Sequence, residues 1–184
     1  QTAVQLTQGS FVGNKAGSSG GALSVESSAS LQMTSVTGTN NVAGRGDGGF
    51  LYARSAAPIL LRDVKIHGSS TDQKGGGGGI AIAGTKMGLK DLVVQGCRAG
   101  KRGGGAILLS GGAEVHMFDG LLDNNEAQFG GSGGHIHSAS SSMVVHSKGS
   151  SRLVWREQEP CFPAESELTS TTGTSMFDGV SSTS

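Results

Sequence analysis

The chain has 184 residues, 33 of them glycine, with 4% aromatic residues and 14 basic side chains balanced by 14 acidic ones. That mixture argues against a globular core of large side chains, and zero net charge without a Lys/Arg run makes nucleic acid and anionic membrane poor partners. No apolar run is long enough to span a bilayer as a helix, so membrane insertion by this segment is not expected.

The chain opens on Val4-x-Leu6, a fragment of period-two alternation that reads as a strand with one buried face. Phe11, Asn14 and Ala16 follow, and then Gly20-Gly21-Ala22-Leu23-Ser24-Val25. The first residues already lie inside a repeat, with neither an initiator Met nor a signal-peptide pattern, so the segment is expected to belong to a longer protein. Leu31-x-Met33-x-x-Val36 comes next, then Asn41, and Gly48-Gly49-Phe50-Leu51-Tyr52-Ala53. The same order returns in Ile59-x-Leu61-x-x-Val64-x-Ile66, Ser69 and Gly77-Gly78-Gly79-Ile80-Ala81-Ile82. It returns again in Met87-x-Leu89-x-x-Leu92-x-Val94, Cys97 and Gly104-Gly105-Ala106-Ile107-Leu108-Leu109. A last copy holds Val115-x-Met117-x-x-Gly120-x-Leu122, Asn125 and Gly133-Gly134-His135-Ile136-His137-Ser138, before a partial Met143-x-Val145.

Successive copies start about 28 residues apart, a solenoid period. Period two, paired glycines and polar turns all oppose helices, which leaves an all-β fold. The expected architecture is a right-handed parallel β-helix of about six coils of roughly 28 residues, over residues 1–156. Leu23, Leu51, Ile80, Ile107 and Ile136 should stack as one inward ladder, with Val25, Ala53, Ile82, Leu109 and Ser138 beside it. The two-residue gap in each longer pattern implies a bend that resets which face points inward. Asn14, Asn41, Ser69, Cys97 and Asn125 form a turn column, and Ala16, Ala43, Thr71, Ala99 and Ala127 lie two places on. Their polar groups are expected to bond to the backbone of their own coil and of the next. From Glu157 to Ser184 the repeat dissolves into a Ser/Thr-rich stretch with two of the three prolines, an irregular cap or a linker.

The repeats resemble those of chlamydial polymorphic outer-membrane proteins and their microbial relatives, which carry Phe-x-x-Asn and Gly-Gly-Ala-[Ile/Leu/Val]. Phe11-Val12-Gly13-Asn14 with Gly20-Gly21-Ala22-Leu23 matches in full, and Gly104-Gly105-Ala106-Ile107 matches the second half. The resemblance runs from about Phe11 to Ser138, with Ser69 and Cys97 departing from the Asn rule. It implies an extracellular or cell-surface passenger region of structural or adhesive role, with no shared catalytic residues and no cofactor. Protein, another part of the same polypeptide, or glycan would be the partner.

Several groups of residues invite chemistry. Asp63, Asp91 and Asp119 share one repeat position at the bend. Stacked at about 5 Å, they read as solvated turn residues, as part of a Ca²⁺ site, or as the carboxylates of a polysaccharide-cleaving β-helix. His135 and His137 alternate about Ile136, and His116 and His146 lie about one repeat apart; all four are expected at the surface rather than on zinc. Arg45-Gly46-Asp47 spells the tripeptide that integrin receptors read, in a loop expected to be exposed. Gly75 to Gly79 lacks the Gly-Lys-Ser/Thr ending of a phosphate loop. Phe50, Tyr52 and Leu108, with Ala22 and Ala81, should form an outward apolar strip, either a partner's docking face or a surface covered by loops or tail. Cys97 and Cys161 are either one bridge or two unrelated thiols.

Overall fold

A computed structural model describes residues 2–146, 154–156 and 175–178. The first coil contains Ala3–Val12 (β1), Lys15–Ala16 (β2) and Leu23–Glu26 (β3). The second contains Ser30–Thr39 (β4), Val42–Ala43 (β5) and Leu51–Arg54 (β6), and the third Ile59–His67 (β7), Ser70–Thr71 (β8) and Ile80–Ala83 (β9). Lys86–Gln95 (β10), Arg98–Ala99 (β11) and Ile107–Ser110 (β12) make the fourth. Glu114–Asp123 (β13), Glu126–Ala127 (β14) and Ile136–Ser138 (β15) make the fifth. Ser142–His146 (β16), Val154–Arg156 (β17) and Ser175–Asp178 (β18) follow.

Equivalent strands pair in parallel and build three sheets: a long one in the order β1-β4-β7-β10-β13-β16, and two of five strands each. The protein is therefore an all-β parallel solenoid of about five turns, one fewer than the repeat count suggested. The reason is that the sixth long strand is present in two pieces, β16 and β17, which both pair with β13. Neither of the other sheets has a sixth strand among the described residues. Of the segment from Glu157 onward only β18 is described, paired antiparallel with β16; the rest of that tail, Cys161 included, lies outside the described residues.

Both predicted ladders form in register: Leu23 faces Leu51, Leu51 faces Ile80, and Ile107 lies between Ile80 and Ile136. Val25, Ala53, Ile82, Leu109 and Ser138 stack beside them. The long strands contribute Leu31, Ile59, Met87 and Val115, all buried, followed by Met33, Leu61, Leu89 and Met117. Alternation buries one side chain in two, and coil-on-coil stacking at about 4.8 Å brings each into contact with its copies above and below.

The Gly-Gly signature answers two separate steric demands. Gly48 and Gly104 have φ of +71° and +68°, where a Cβ would stand 2.2 and 2.3 Å from the carbonyl oxygen three residues on. The second glycines Gly21, Gly49, Gly78 and Gly105 have ordinary φ but no room, because each Cα abuts the backbone of the next coil: a Cβ on Gly49 would lie 2.1 Å from Gly78 O. Removing the side chain is what lets successive coils close to sheet spacing here.

Phe50, expected outward, is fully buried. The N–H groups of Phe50 and Leu51 both donate to Gly79 O, at 2.9 and 3.1 Å. Two donors on one acceptor interrupt the alternation, so two successive residues face inward. Gly38 supplies the space, since a Cβ there would meet the Phe50 ring at 2.4 Å, and Phe11 packs edge-on with ring centroids 5.9 Å apart.

Candidate functional site

The bend in each long strand is a left-handed residue. Gln8, Ser35, Asp63, Asp91 and Asp119 have φ of 56°, 54°, 49°, 52° and 57°. This conformation costs an ordinary L-residue about 1–2 kcal/mol and is best tolerated by Gly, Asn and Asp, whose short side chains bond locally. The Asp column therefore has a backbone cause. Ser35 Oγ donates to Asp63 Oδ2 at 2.9 Å, and Lys65 Nζ stands 3.7 Å from Asp63 Oδ1. Among the described residues, no group of three or more His, Cys, Asp or Glu is placed to hold a metal ion.

The turn column is a hydrogen-bond ladder running along the solenoid. Asn41 Oδ1 accepts the Asn14 N–H at 3.0 Å, Ser69 Oγ accepts the Asn41 N–H at 3.3 Å, and Asn125 Oδ1 accepts the Cys97 N–H at 3.0 Å. The two buried amide nitrogens return to the preceding coil: Asn41 Nδ2 donates to Phe11 O and Asn125 Nδ2 to Val94 O, both at 2.9 Å. Asn41, Ser69, Cys97 and Asn125 are buried, whereas Asn14, expected to be partly buried, is exposed because no coil among the described residues covers it. Cys97 takes the Asn place with its sulfur against the Ser69 N–H; burial pushes the thiol up to about 12, so it stays protonated at neutral pH. It is a free thiol.

Asn125→Ala would strand the Cys97 N–H and the Val94 carbonyl inside the coil. A buried group left unsatisfied costs roughly 1–3 kcal/mol. The expected outcome is a clear drop in the urea midpoint for Asn125→Ala, and almost none for Asn14→Ala, where water replaces the bond.

Asp47 is 7% exposed rather than presented in an open loop with Arg45. Its Oδ1 accepts the Gly76 N–H at 2.8 Å, and Oδ2 takes Arg102 Nη1 from the coil beyond. One carboxylate thus ties the Gly-rich loops of three consecutive coils, and the tripeptide reading loses its exposed acid. Burial raises the Asp47 carboxyl above the usual aspartate range, outweighing the Gly76 N–H and Arg102, which pull it down. The folded state therefore binds this proton more tightly than the unfolded chain does. Asp47 contributes stability that is present below its unfolded pKa and is lost as pH rises through the folded value. Asp47→Asn keeps an oxygen for Gly76 and removes that titration. Denaturation at stepped pH from 3 to 7 should show a shallower decline with rising pH in the variant than in the parent.

The outward strip is largely roofed. Leu108 is 3% and Ala81 1% exposed, because the loop at Gly76 and Gly77 lies on them; a Cβ on Gly76 would meet Leu108 Cδ2 at 2.7 Å. Tyr52 remains half-buried. His135, expected outward, is buried with Nδ1 3.2 Å from Asn125 Nδ2, since it occupies the same two-into-one position as Phe50: the Ala106 and Ile107 N–H groups both donate to His135 O. His137 is half-buried, His116 Nε2 lies 3.2 Å from Glu114 Oε1, and the His146 side chain lies outside the described residues.

A groove that reading the inward pattern missed crosses the outer face of the long sheet. Its cavity of about 540 Å³ is lined by Gln32, Leu60, Arg62, Gly88, Lys90 and Phe118 among others. The signal was present in register: Gln32, Leu60, Gly88 and His116 are partners, as are Thr34, Arg62, Lys90 and Phe118. Gly88 interrupts a column of longer side chains and Leu60 leans over it, with Cδ2 2.9 Å from where a Cβ would stand. Among the described residues no carboxylate pairs with Arg62 or Lys90, and no helix is long and apolar enough to cross a membrane. The chain matches no family model, no curated protein and no solved structure.

Proposed function

We propose that this chain is a structural or adhesive scaffold segment of a larger extracellular or cell-surface protein, without catalytic activity or cofactor. The observation behind this reading is where the repeat's polar side chains direct their bonds: Asn41, Ser69, Asn125 and Asp47 all reach to a neighbouring coil. Those groups hold the rod together and are not free to act on a substrate. The likeness of Phe11 to Asn14 and of the Gly-Gly-Ala runs to polymorphic outer-membrane repeats supports the surface location and the adhesive role. Its partner is a protein, another part of the same polypeptide, or a glycan, met by loops and by the outer face.

A polysaccharide-cleaving or glycan-binding surface is the second reading. It is favoured by the groove at Gly88, whose volume lies within the roughly 300–1,000 Å³ of small-molecule sites and whose rim carries Arg62, Lys90 and an exposed Phe118. Replacing Asp63, Asp91 and Asp119 together with Asn separates the readings. Asn tolerates the left-handed bend as well as Asp does, so a scaffold should keep its thermal midpoint within a few degrees, lack depolymerising activity before and after, and show no calcium dependence. A calcium-dependent rise in midpoint that the triple variant loses would point to a cation site. Depolymerisation of an acidic polysaccharide by the parent, absent in the variant, would overturn the scaffold.

A further inference from the structure

We infer that the groove over Gly88 binds a polysaccharide that carries uronate carboxylates. This deepens the adhesive-scaffold reading and rests on it, because it names one partner class and one surface. The observation behind it is a break in the molecule's own charge pattern. Elsewhere on the described strands, charged residues that are register partners have opposite signs: Lys86 with Glu114, Arg98 with Glu126, Glu26 with Arg54. Arg62 and Lys90 are register partners of the same sign, and both are exposed. Stacked at about 4.8 Å, two like charges repel. The Asp column beside them is the other like-charge stack, and its left-handed bend gives it a backbone cause. Arg62 and Lys90 stand on regular strand, where no such constraint selects a cation. Asp63 is engaged by Ser35 and Lys65, and among the described residues no carboxylate pairs with either cation of the groove.

The surroundings of the two cations suit a sugar. Gly88 leaves a dent between its register partners Leu60 and His116. The groove runs from Gln32 and Thr34 to Phe118, four coils or about 14 Å at sheet spacing. Phe118 is the register partner of Lys90 and is 38% exposed, and Leu60 is 50% exposed. An aromatic ring and an isobutyl group beside two cations match a pyranose with an apolar C–H face and a carboxylate on its edge. The Arg62 guanidinium can take that carboxylate through two parallel N–H bonds, with Lys90 as a point charge. Gln32 and Thr34 supply an amide and a hydroxyl for the sugar hydroxyls. An acidic peptide fits worse. β7 and β10, which floor the groove, each have a strand neighbour on both sides, so a peptide backbone would find no sheet edge to pair with. The chain as a whole is neutral, so attraction to a polyanion has to come from this local pair.

The test titrates the whole chain with a hyaluronan hexasaccharide, its carboxyl methyl ester, a sulfated chondroitin hexasaccharide and a hexaglutamate peptide. Backbone amide shifts are read by NMR at low salt. Hyaluronan should shift the amides of Leu60, Arg62, Gly88, Lys90 and Phe118, and the uncharged ester should bind at least tenfold more weakly. Arg62→Gln with Lys90→Gln should cost at least tenfold in affinity, while the thermal midpoint holds or rises because the repulsion is gone. Gly88→Val keeps both charges and fills the dent, where its Cβ meets only the movable tip of Leu60. It too should abolish the shifts. No shift at these amides up to millimolar hyaluronan would overturn the inference, as would binding that both changes leave intact. Hexaglutamate binding as tightly as hyaluronan would overturn it in favour of a peptide, and binding of the sulfated sugar alone would overturn the carboxylate. None of these failures touches the scaffold reading, which falls only if mass spectrometry shows the hexasaccharides being shortened.

Discussion

Ile107→Asp is expected to unfold the solenoid. Ile107 is fully buried on β12, in register with Ile80 on one side and Ile136 on the other. An aspartate there loses the burial of the apolar carbons beyond Cβ and places a carboxylate in an aliphatic column. The cost exceeds about 4–5 kcal/mol, the range reached only by buried unpaired charges and large cavities. Domain stabilities are roughly 5–15 kcal/mol, so the loss takes most or all of it. Circular dichroism should show no cooperative melt for Ile107→Asp. Ile107→Val, which leaves a small cavity, should cost about 0.5–1.5 kcal/mol. Leu60→Asp is the internal control: Leu60 is 50% exposed on the outer face, and its replacement should leave the midpoint nearly unchanged. A folded Ile107→Asp protein with the parent's midpoint would show that the strand's inward phase is wrong.

The ladders, the Gly pairs and the Asn column were legible in the sequence because each repeats a local rule at one period. Alternation alone determines that Leu51, Ile80 and Ile107 share a face, and only glycine satisfies both Gly48 and Gly49. What escaped was set by the neighbouring coil. Phe50 and His135 turn inward at the position whose carbonyl takes two N–H groups of the preceding coil, Ala22 and Leu23 onto Phe50 O and Ala106 and Ile107 onto His135 O, a pairing that no single strand's pattern reveals. Asp47 is buried by Gly76 and Arg102, which lie 29 and 55 residues away in sequence. Leu108 is covered by a loop one coil earlier, where poly-Gly allows the backbone to lie flat on it.

The Asp column shows the converse, a pattern that was visible and whose cause was not. Three aspartates at one repeat position suggested a site, yet Gln8 and Ser35 stand at the same bend with the same positive φ. Residues that differ in chemistry and agree in backbone conformation point to the backbone as the shared constraint. A second column of that kind, Gly13, Asn40, Gly68, Gly96 and Asn124, turns the chain just before the Asn ladder, with φ from 52° to 64°. Its Gly/Asn composition at one spacing was the available signal for it.

Gly105→Ala is expected to be nearly as damaging as a buried charge, although it adds one methyl group. The new Cβ would stand 2.1 Å from Gly134 O and 2.4 Å from Glu126 N, both backbone atoms of the next coil. Neither can swing aside as a side chain would. Relief requires the fourth and fifth coils to part by about 1 Å at this corner, in an interior packed at crystal density. That movement pulls on the bonds from Gly105 N to Gly133 O and from Glu126 N to Cys97 O, at 3.1 and 2.9 Å. It also loosens the Asn125 contacts beside them, so roughly 3–5 kcal/mol should be lost. Gly17→Ala sets the scale, because nothing lies within 4 Å of its Cβ and its φ is ordinary. There a methyl group only restricts the unfolded chain, and the midpoint should hold or rise slightly. Paired urea titrations of the two variants measure the difference directly. If both alanines leave the midpoint where it was, the close approach of the coils at the Gly-Gly corner is wrong, and with it the explanation of why the repeat carries two glycines and not one.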